Sequence, residues 1–227
     1  MKFPAHFIWG TATSSYQVEG NNTNTDWWYW ENNKKRGQKY PLESSGLACD
    51  FYNRYEEDFD LCKQLNNNAV RISVEWARIE PFEGKFDYRE IAHYKKILSA
   101  AKDRGLKTFV TLNHFTLPLW FYKKGGWTNI RSPHYFSRYA KECAKEFGAL
   151  VDSYTTINEP QVYALMSYTV GKWPPNKSNL FLSLICQLNL MSAHNEAYKK
   201  IKSVGKFTVG LVKQIVWYET FEQKPYF

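Results

Sequence analysis

Two hydrophobic periods alternate along the chain. Phe51, Tyr55, Phe59 and Cys62 fall on one face of a helix starting near Asp50, and Ile91, Tyr94, Leu98 and Ala101 do the same for a helix starting near Asp87 and stopping at Gly105. Ser132-Pro133 reads as N-cap and first-turn proline of a third helix, with the stripe Phe136, Tyr139, Ala140, Cys143, Ala144 and Phe147. Leu184, Leu188, Met191, Asn195 and Tyr198 mark a fourth. Between these helices lie short β-branched and apolar segments that read as strands: 7–13, 69–74, 107–113, 153–158 and 207–212. Strand and helix in strict alternation predict a parallel sheet with helices outside it.

Two closures of such a sheet compete. A doubly wound sheet usually carries a Gly-rich phosphate turn after its first strand. Here that turn is Gly10-Thr11-Ala12-Thr13-Ser14-Ser15, without the required spacing. The other closure is a (β/α)8 TIM-type barrel, typically about 250 residues. The 227 residues supply four βα units and the start of strand five, the N-terminal part of a single barrel domain over 1–227.

Barrel chemistry sits where strands end and βα loops begin. Those points carry Gln17-Val18-Glu19-Gly20, Glu75-Trp76-Ala77-Arg78, Asn113-His114-Phe115 and Asn158-Glu159-Pro160. Amide, imidazole and carboxyl groups suit sugar hydroxyls, and the aromatic rings between them suit the apolar face of a sugar. Asn158-Glu159-Pro160 admits two readings: a strand-end turn capping the next helix, or a carboxyl group that protonates a glycosidic oxygen. Pro160 disfavours helical geometry at Glu159 and so predicts an extended residue at the strand tip. After the fourth strand of a barrel, the proton donor is the stronger reading.

Composition narrows the alternatives. Aromatic residues make up 18% of the chain and hydrophobic residues 44%, which fits a packed globular core and excludes a disordered chain. The net charge of +8 invites nucleic acid, but Lys34-Lys35-Arg36, Lys95-Lys96, Lys123-Lys124 and Lys199-Lys200 are short, scattered and interspersed with acids, so a solvated basic surface is expected and no nucleic-acid partner. Cys49, Cys62, Cys143 and Cys186 lack metal-ligand spacing, and three of them lie in apolar helical patterns. Reduced thiols, no evident signal peptide and no run apolar enough for a membrane predict a cytoplasmic protein.

Four segments together resemble glycoside hydrolase family 1, the retaining β-glucosidases and β-galactosidases. They are residues 7–20 (Phe7-Ile8-Trp9-Gly10 to Gln17-Val18-Glu19-Gly20), residues 70–79 (Val70-Arg71-Ile72-Ser73-Val74-Glu75-Trp76 onward), Gly125-Gly126-Trp127, and Thr156-Ile157-Asn158-Glu159-Pro160. They keep family order and spacing over nearly the whole chain. The resemblance implies that Gln17 and His114 bond sugar hydroxyls, that Asn158 holds the hydroxyl beside the anomeric carbon, and that Glu159 is the general acid/base. It also implies that Arg71 orients the nucleophile carboxylate and that Trp120 and Trp127 shape the aglycone side. Structural rivals exist for three of these: a core histidine bonded to backbone at 114, an ion pair of Arg71 with Glu75 or Glu159, and plain packing of Trp120. Where the family has Trp then Asp after the histidine, this chain has Phe115 and Thr116.

The family's nucleophile lies in a late Ile/Val-Thr-Glu-Asn-Gly segment, and no such segment occurs here. The chain alone is therefore expected to be inactive, and poorly soluble or self-associating, with pairing to a C-terminal half as another outcome. A small β-glycoside is the implied substrate, with no metal or organic cofactor, since carboxyl groups and water suffice. A non-catalytic sugar-binding half-barrel and one subunit of a split enzyme are the alternative functions. A different barrel family with Asn-Glu-Pro after strand four is disfavoured by the Gln17-Val18-Glu19-Gly20 turn.

Overall fold

A computed structural model describes residues 2–33 and 43–219. Strands β1 (Gly10–Ala12), β2 (Ala69–Ser73), β3 (Lys107–Asn113), β4 (Ser153–Asn158) and β5 (Thr208–Val212) pair in parallel, in the order β1-β2-β3-β4-β5. Strand order never reverses, which excludes the doubly wound closure. The result is an open five-stranded arc of barrel type with β1 and β5 as free edges. The helices are α1 (Ser15–Val18), α2 (Asp26–Asn32), α3 (Phe51–Gln64), α4 (Trp76–Ile79), α5 (Tyr88–Asp103), α6 (Leu119–Lys123), α7 (Ser132–Phe147), α8 (Pro160–Ala164) and α9 (Leu180–Lys202). Among the described residues no helix is long and apolar enough to cross a membrane. All four cysteines are free, and Cys62, Cys143 and Cys186 are buried.

Period-two alternation divides the sheet. Val70, Ile72, Val110, Leu112 and Tyr154 join the core beneath α3, α5 and α7. Arg71, Ser73, Thr111 and Asn113 alternate with them and so lie on the concave face. Asp87 caps α5 by accepting the Arg89 N–H at 2.9 Å, and Gly105 turns the chain out of that helix at φ +69°.

Three expected features differ. The first strand is three residues long rather than seven, because β1 has a partner on one side only, and Phe7, Ile8 and Trp9 stay exposed. Phe3, Phe7 and Trp9 instead cluster with one another, their ring centroids 4.6–4.8 Å apart. The third helix includes Ser132 as its first residue, one position later than a serine cap requires, and Arg131 precedes it. The fourth predicted helix, α9, is turned the other way. Ser183, Cys186, Leu190, Ala193, Ala197 and Ile201 are buried, on the side that packs along α7, whereas Leu184, Leu188, Met191, Asn195 and Tyr198 point outward. Small residues allow the two helix axes to approach closely, and the larger apolar side chains are left on the open flank of the arc.

Beneath the β1 and β2 ends, buried carboxyl groups share one cation. Glu19 accepts from the Tyr94 hydroxyl at 2.7 Å, from Arg78 Nε at 3.1 Å and from Asn22 Nδ2 at 3.3 Å. Glu75 accepts from the Ser15 and Thr116 hydroxyls, both at 2.9 Å. Burial, only partly offset by Arg78, pushes the Glu19 carboxyl up to about 7, with the Glu75 charge acting in the same direction. Burial raises Glu75 as well. In an unfolded chain Glu19 titrates near 4.5. Stability is therefore fully present below that value and falls as pH rises through about 7, by about 3 kcal/mol for Glu19 alone. Urea titrations at pH 5 and pH 8 are expected to show this loss in the parent, and a much flatter response in Glu19→Gln. Equal pH dependence in the two proteins would refute the assignment.

Candidate active site

The concave face converges on Arg71. Burial on β2 lowers the pKa of this guanidinium, and the negative charge of Glu159 opposes that shift. Its Nε donates to Thr111 Oγ1 of β3 at 2.9 Å and its Nη2 to Asn158 Oδ1 of β4 at 2.5 Å. One side chain thus cross-ties three neighbouring strands. Neither Glu75 nor Glu159 forms an ion pair with Arg71 among the described residues. Glu75 is engaged by Ser15, Thr116 and the Ala77 N–H instead.

Glu159 follows Asn158 directly. Its backbone N–H donates to the Val212 carbonyl of β5 at 2.8 Å, and its own carbonyl accepts from the Val162 and Tyr163 N–H groups of α8. It is not extended: φ is 45° and ψ 61°, in the left-handed region. Pro160 removes the right-handed helical option, and the bond to β5 together with the start of α8 selects the left-handed alternative. A non-glycine residue there carries strain that its surroundings must hold in place, a condition concentrated at functional sites. Its side chain is partly exposed on the open face.

His114, just past β3, feels the charge of Arg71. Burial, and then Arg71, bring its pKa down to about 4, so the ring is neutral near pH 7 and offers one donor and one acceptor. Its Nδ1 is buried and has no partner among the described residues, so the expected rival, a histidine satisfied by backbone, is not what is found. Phe115 sits beside it at φ 75°, its ring edge-on to His114 at 4.9 Å. Thr116 uses its hydroxyl on Glu75.

Arg71, His114, Asn158 and Glu159 are thus brought together by adjacent strands. Gln17 lies at the β1 end, exposed, with its Oε1 accepting from the Ser14 hydroxyl at 2.8 Å and no hydrogen bond to the other four. The two tryptophans of the loop after β3 both pack against other aromatic rings. Trp127 is completely buried among Trp76, Phe121 and Phe136 and has no surface to offer a ligand. Trp120 is half-buried; it packs edge-on against Trp76 and Tyr135, and its Nε1 donates to the Glu80 carbonyl at 2.9 Å. Sequence reasoning missed Trp173, whose ring lies 4.7 Å from Phe115 and 5.5 Å from Trp27. These three partly exposed rings form an aromatic wall next to His114. No local motif marks Trp173, because it sits in an irregular turn 58 positions from Phe115, held by a bond from its N–H to the Met166 carbonyl.

The family model described as "Glycosyl hydrolase family 1" matches residues 1–226. A β-galactosidase of Pyrococcus woesei is 32% identical, with 88% of this chain aligned to 50% of that protein. β-Glucosidase A of Thermotoga maritima is 31% identical, with 98% of this chain aligned to 51% of that protein. Among solved structures, a β-glycosidase from Pyrococcus horikoshii superposes with a TM-score of 0.86 at 40% identity, covering 93% of this chain and 48% of that one. The family 1 β-glucosidase of T. maritima superposes with a TM-score of 0.92 at 30% identity, covering 98% and 51%. The chain spans about half the length of the relatives it matches. A parallel barrel arc, its strand-end polar cluster and a match over residues 1–226 together show that the chain belongs to glycosyl hydrolase family 1.

Proposed function

We propose that the chain is the acid/base part of a retaining β-glycosidase acting on β-linked glucosides or galactosides, the N-terminal part of a single barrel domain. The observation that supports this reading is the Arg71–Asn158 bond at 2.5 Å, with Glu159 the next residue along the chain. In this reading Glu159 protonates the glycosidic oxygen as the bond to the anomeric carbon breaks. Asn158 Nδ2 is left free to donate to the neighbouring sugar hydroxyl, since Oδ1 is committed to Arg71. Neutral His114 and Gln17 bond further hydroxyls, and the Phe115–Trp173–Trp27 wall takes the apolar face of the aglycone. Arg71 provides a cation for the second carboxylate that retention requires.

The reading is tested by supplying what the chain lacks. Fused to or co-expressed with the C-terminal half of the T. maritima relative, the chain is expected to hydrolyse aryl β-glucosides. Glu159→Gln should then lower kcat by about 10²–10⁴ for aglycones that must be protonated, and much less for strongly acidic phenols. Equal losses for both classes of aglycone, or none for either, would remove Glu159 from the role. Pairing of this kind, or self-association, is also what the open edges β1 and β5 and the outward apolar side chains of α9 favour.

A further inference from the structure

Between the loop after β3 and the turn after β4 lies a cavity of about 320 Å³ that shares no lining residue with Gln17, Arg71, His114, Asn158 or Glu159. Leu117, Pro175 and Leu182 give it apolar walls, Tyr122, Tyr163 and Tyr168 give it rings, and Lys123 and Lys177 complete the lining. The two lysines are exposed and so stand at the rim. Neither is in an ion pair among the described residues. Tyr163 lies deep, only 2% exposed; the Ser167 hydroxyl is close to its own, but no hydrogen bond of good geometry joins them and both oxygens are without a partner among the described residues. Leaving such a group unsatisfied is costly, and a ligand atom is one way to satisfy it. Asp26, the carboxyl group near all three tyrosines, is fully buried, is held by the Leu117 and Trp27 N–H groups and is not part of the cavity lining; burial raises its pKa well above its ordinary value.

The lining combines apolar walls with tyrosine hydroxyls, and its only full charges are positive. We propose that this cavity is a second binding site, for a small hydroxylated aromatic carboxylate. The ring lies between the tyrosine rings and the Leu117–Pro175–Leu182 wall. The carboxylate meets Lys123 and Lys177 at the rim, and the ring hydroxyl accepts from or donates to Tyr163 at the bottom. The site is independent of the glycosidase reading.

The test uses the full 227-residue chain and 4-hydroxybenzoate as probe, by calorimetry or ligand-observed NMR. Saturable binding is expected. It should weaken about tenfold when the carboxylate is replaced, in 4-hydroxybenzyl alcohol, and about tenfold in the double variant Lys123→Ala/Lys177→Ala. Both lysines are exposed, so this variant leaves the core intact. Tyr163→Phe should weaken 4-hydroxybenzoate about fivefold and leave benzoate unchanged, a distinction that general loosening of the fold does not produce. Glu159→Gln should change nothing. Absence of saturable binding, equal binding of acid and alcohol, or loss of binding in Glu159→Gln with the lysine variant unaffected would each overturn the proposal.

Discussion

Purified alone, the 227-residue chain is expected to release 4-nitrophenol from 4-nitrophenyl β-D-glucoside no faster than buffer does. Retention needs two carboxyl groups about 5–5.5 Å apart, one to protonate the leaving oxygen and one to attack the anomeric carbon. Glu159 is the carboxyl group next to Arg71 on the open face. The other carboxyl groups under the strand ends are already engaged: Glu19 with Tyr94 and Arg78, Glu75 with Ser15 and Thr116, and Asp26 with the Leu117 and Trp27 N–H groups. All three are fully buried, and burial favours their uncharged forms, so none is a free nucleophile. Proton donation without covalent capture leaves no route to a glycosyl-enzyme. Calorimetry with glucose and cellobiose adds a second reading: heat that is lost in Asn158→Ala, without turnover, means that the sugar-bonding part of the site is assembled on its own. Turnover proportional to chain concentration and abolished by Glu159→Gln would show that another carboxyl group attacks, and would end the division of labour proposed for this chain.

What the sequence made legible follows from how local each feature is. The predicted bounds of β3 and β4 coincide with the observed ones, because both strands are paired on two sides and their alternation is enforced by core and concave face together. Residues 7–9 read as strand because hydrophobicity alone cannot tell a paired strand from an aromatic cluster at an unpaired edge. The stripe of α9 points to the wrong side for a related reason. Large apolar residues look like a core face, yet the packed side is the one with Ala193, Ala197 and Cys186, where α7 comes closest. In the site, Asn158 and Glu159 were readable from position after a strand, but the left-handed backbone of Glu159 was not, since it depends on the Val212 carbonyl more than fifty residues away. Trp127 shows the opposite failure. A tryptophan in a loop suggests a ligand contact, and only the three-dimensional meeting of α4, α6 and α7 reveals it as core.

That aromatic core is where a single substitution should do most damage. Trp76→Ala is expected to leave the chain unfolded or molten at 25 °C, as read by near-UV circular dichroism and the loss of a cooperative urea transition. The indole is 1% exposed and stacks on Tyr139, ring centroids 5.0 Å apart and planes 16° off parallel, with Phe121 at 4.9 Å and Phe136 at 5.6 Å. Truncating a buried tryptophan costs about 3–5 kcal/mol through lost burial and the cavity left behind. A second cost follows, because Trp76 Nε1 donates to Glu80 Oε2 at 2.8 Å and Glu80 is completely buried. The Gly84 N–H and Arg138 still serve the other oxygen, Oε1, but Oε2 loses its donor, at about 1–3 kcal/mol. The total approaches the whole stability of an ordinary domain, about 5–15 kcal/mol, and an arc with two unpaired strand edges stands at the low end of that range. Trp76→Phe separates the two costs: it keeps most of the ring packing and removes the N–H, so it should remain folded with a lowered urea midpoint. The consequence reaches the site, because α4 begins three residues after β2 ends and anchors the strand that holds Arg71 against Thr111 and Asn158. A Trp76→Ala chain with a parental urea midpoint would mean that the packing around this ring carries little of the fold, and that Arg71 is held in register by the strand ladder alone.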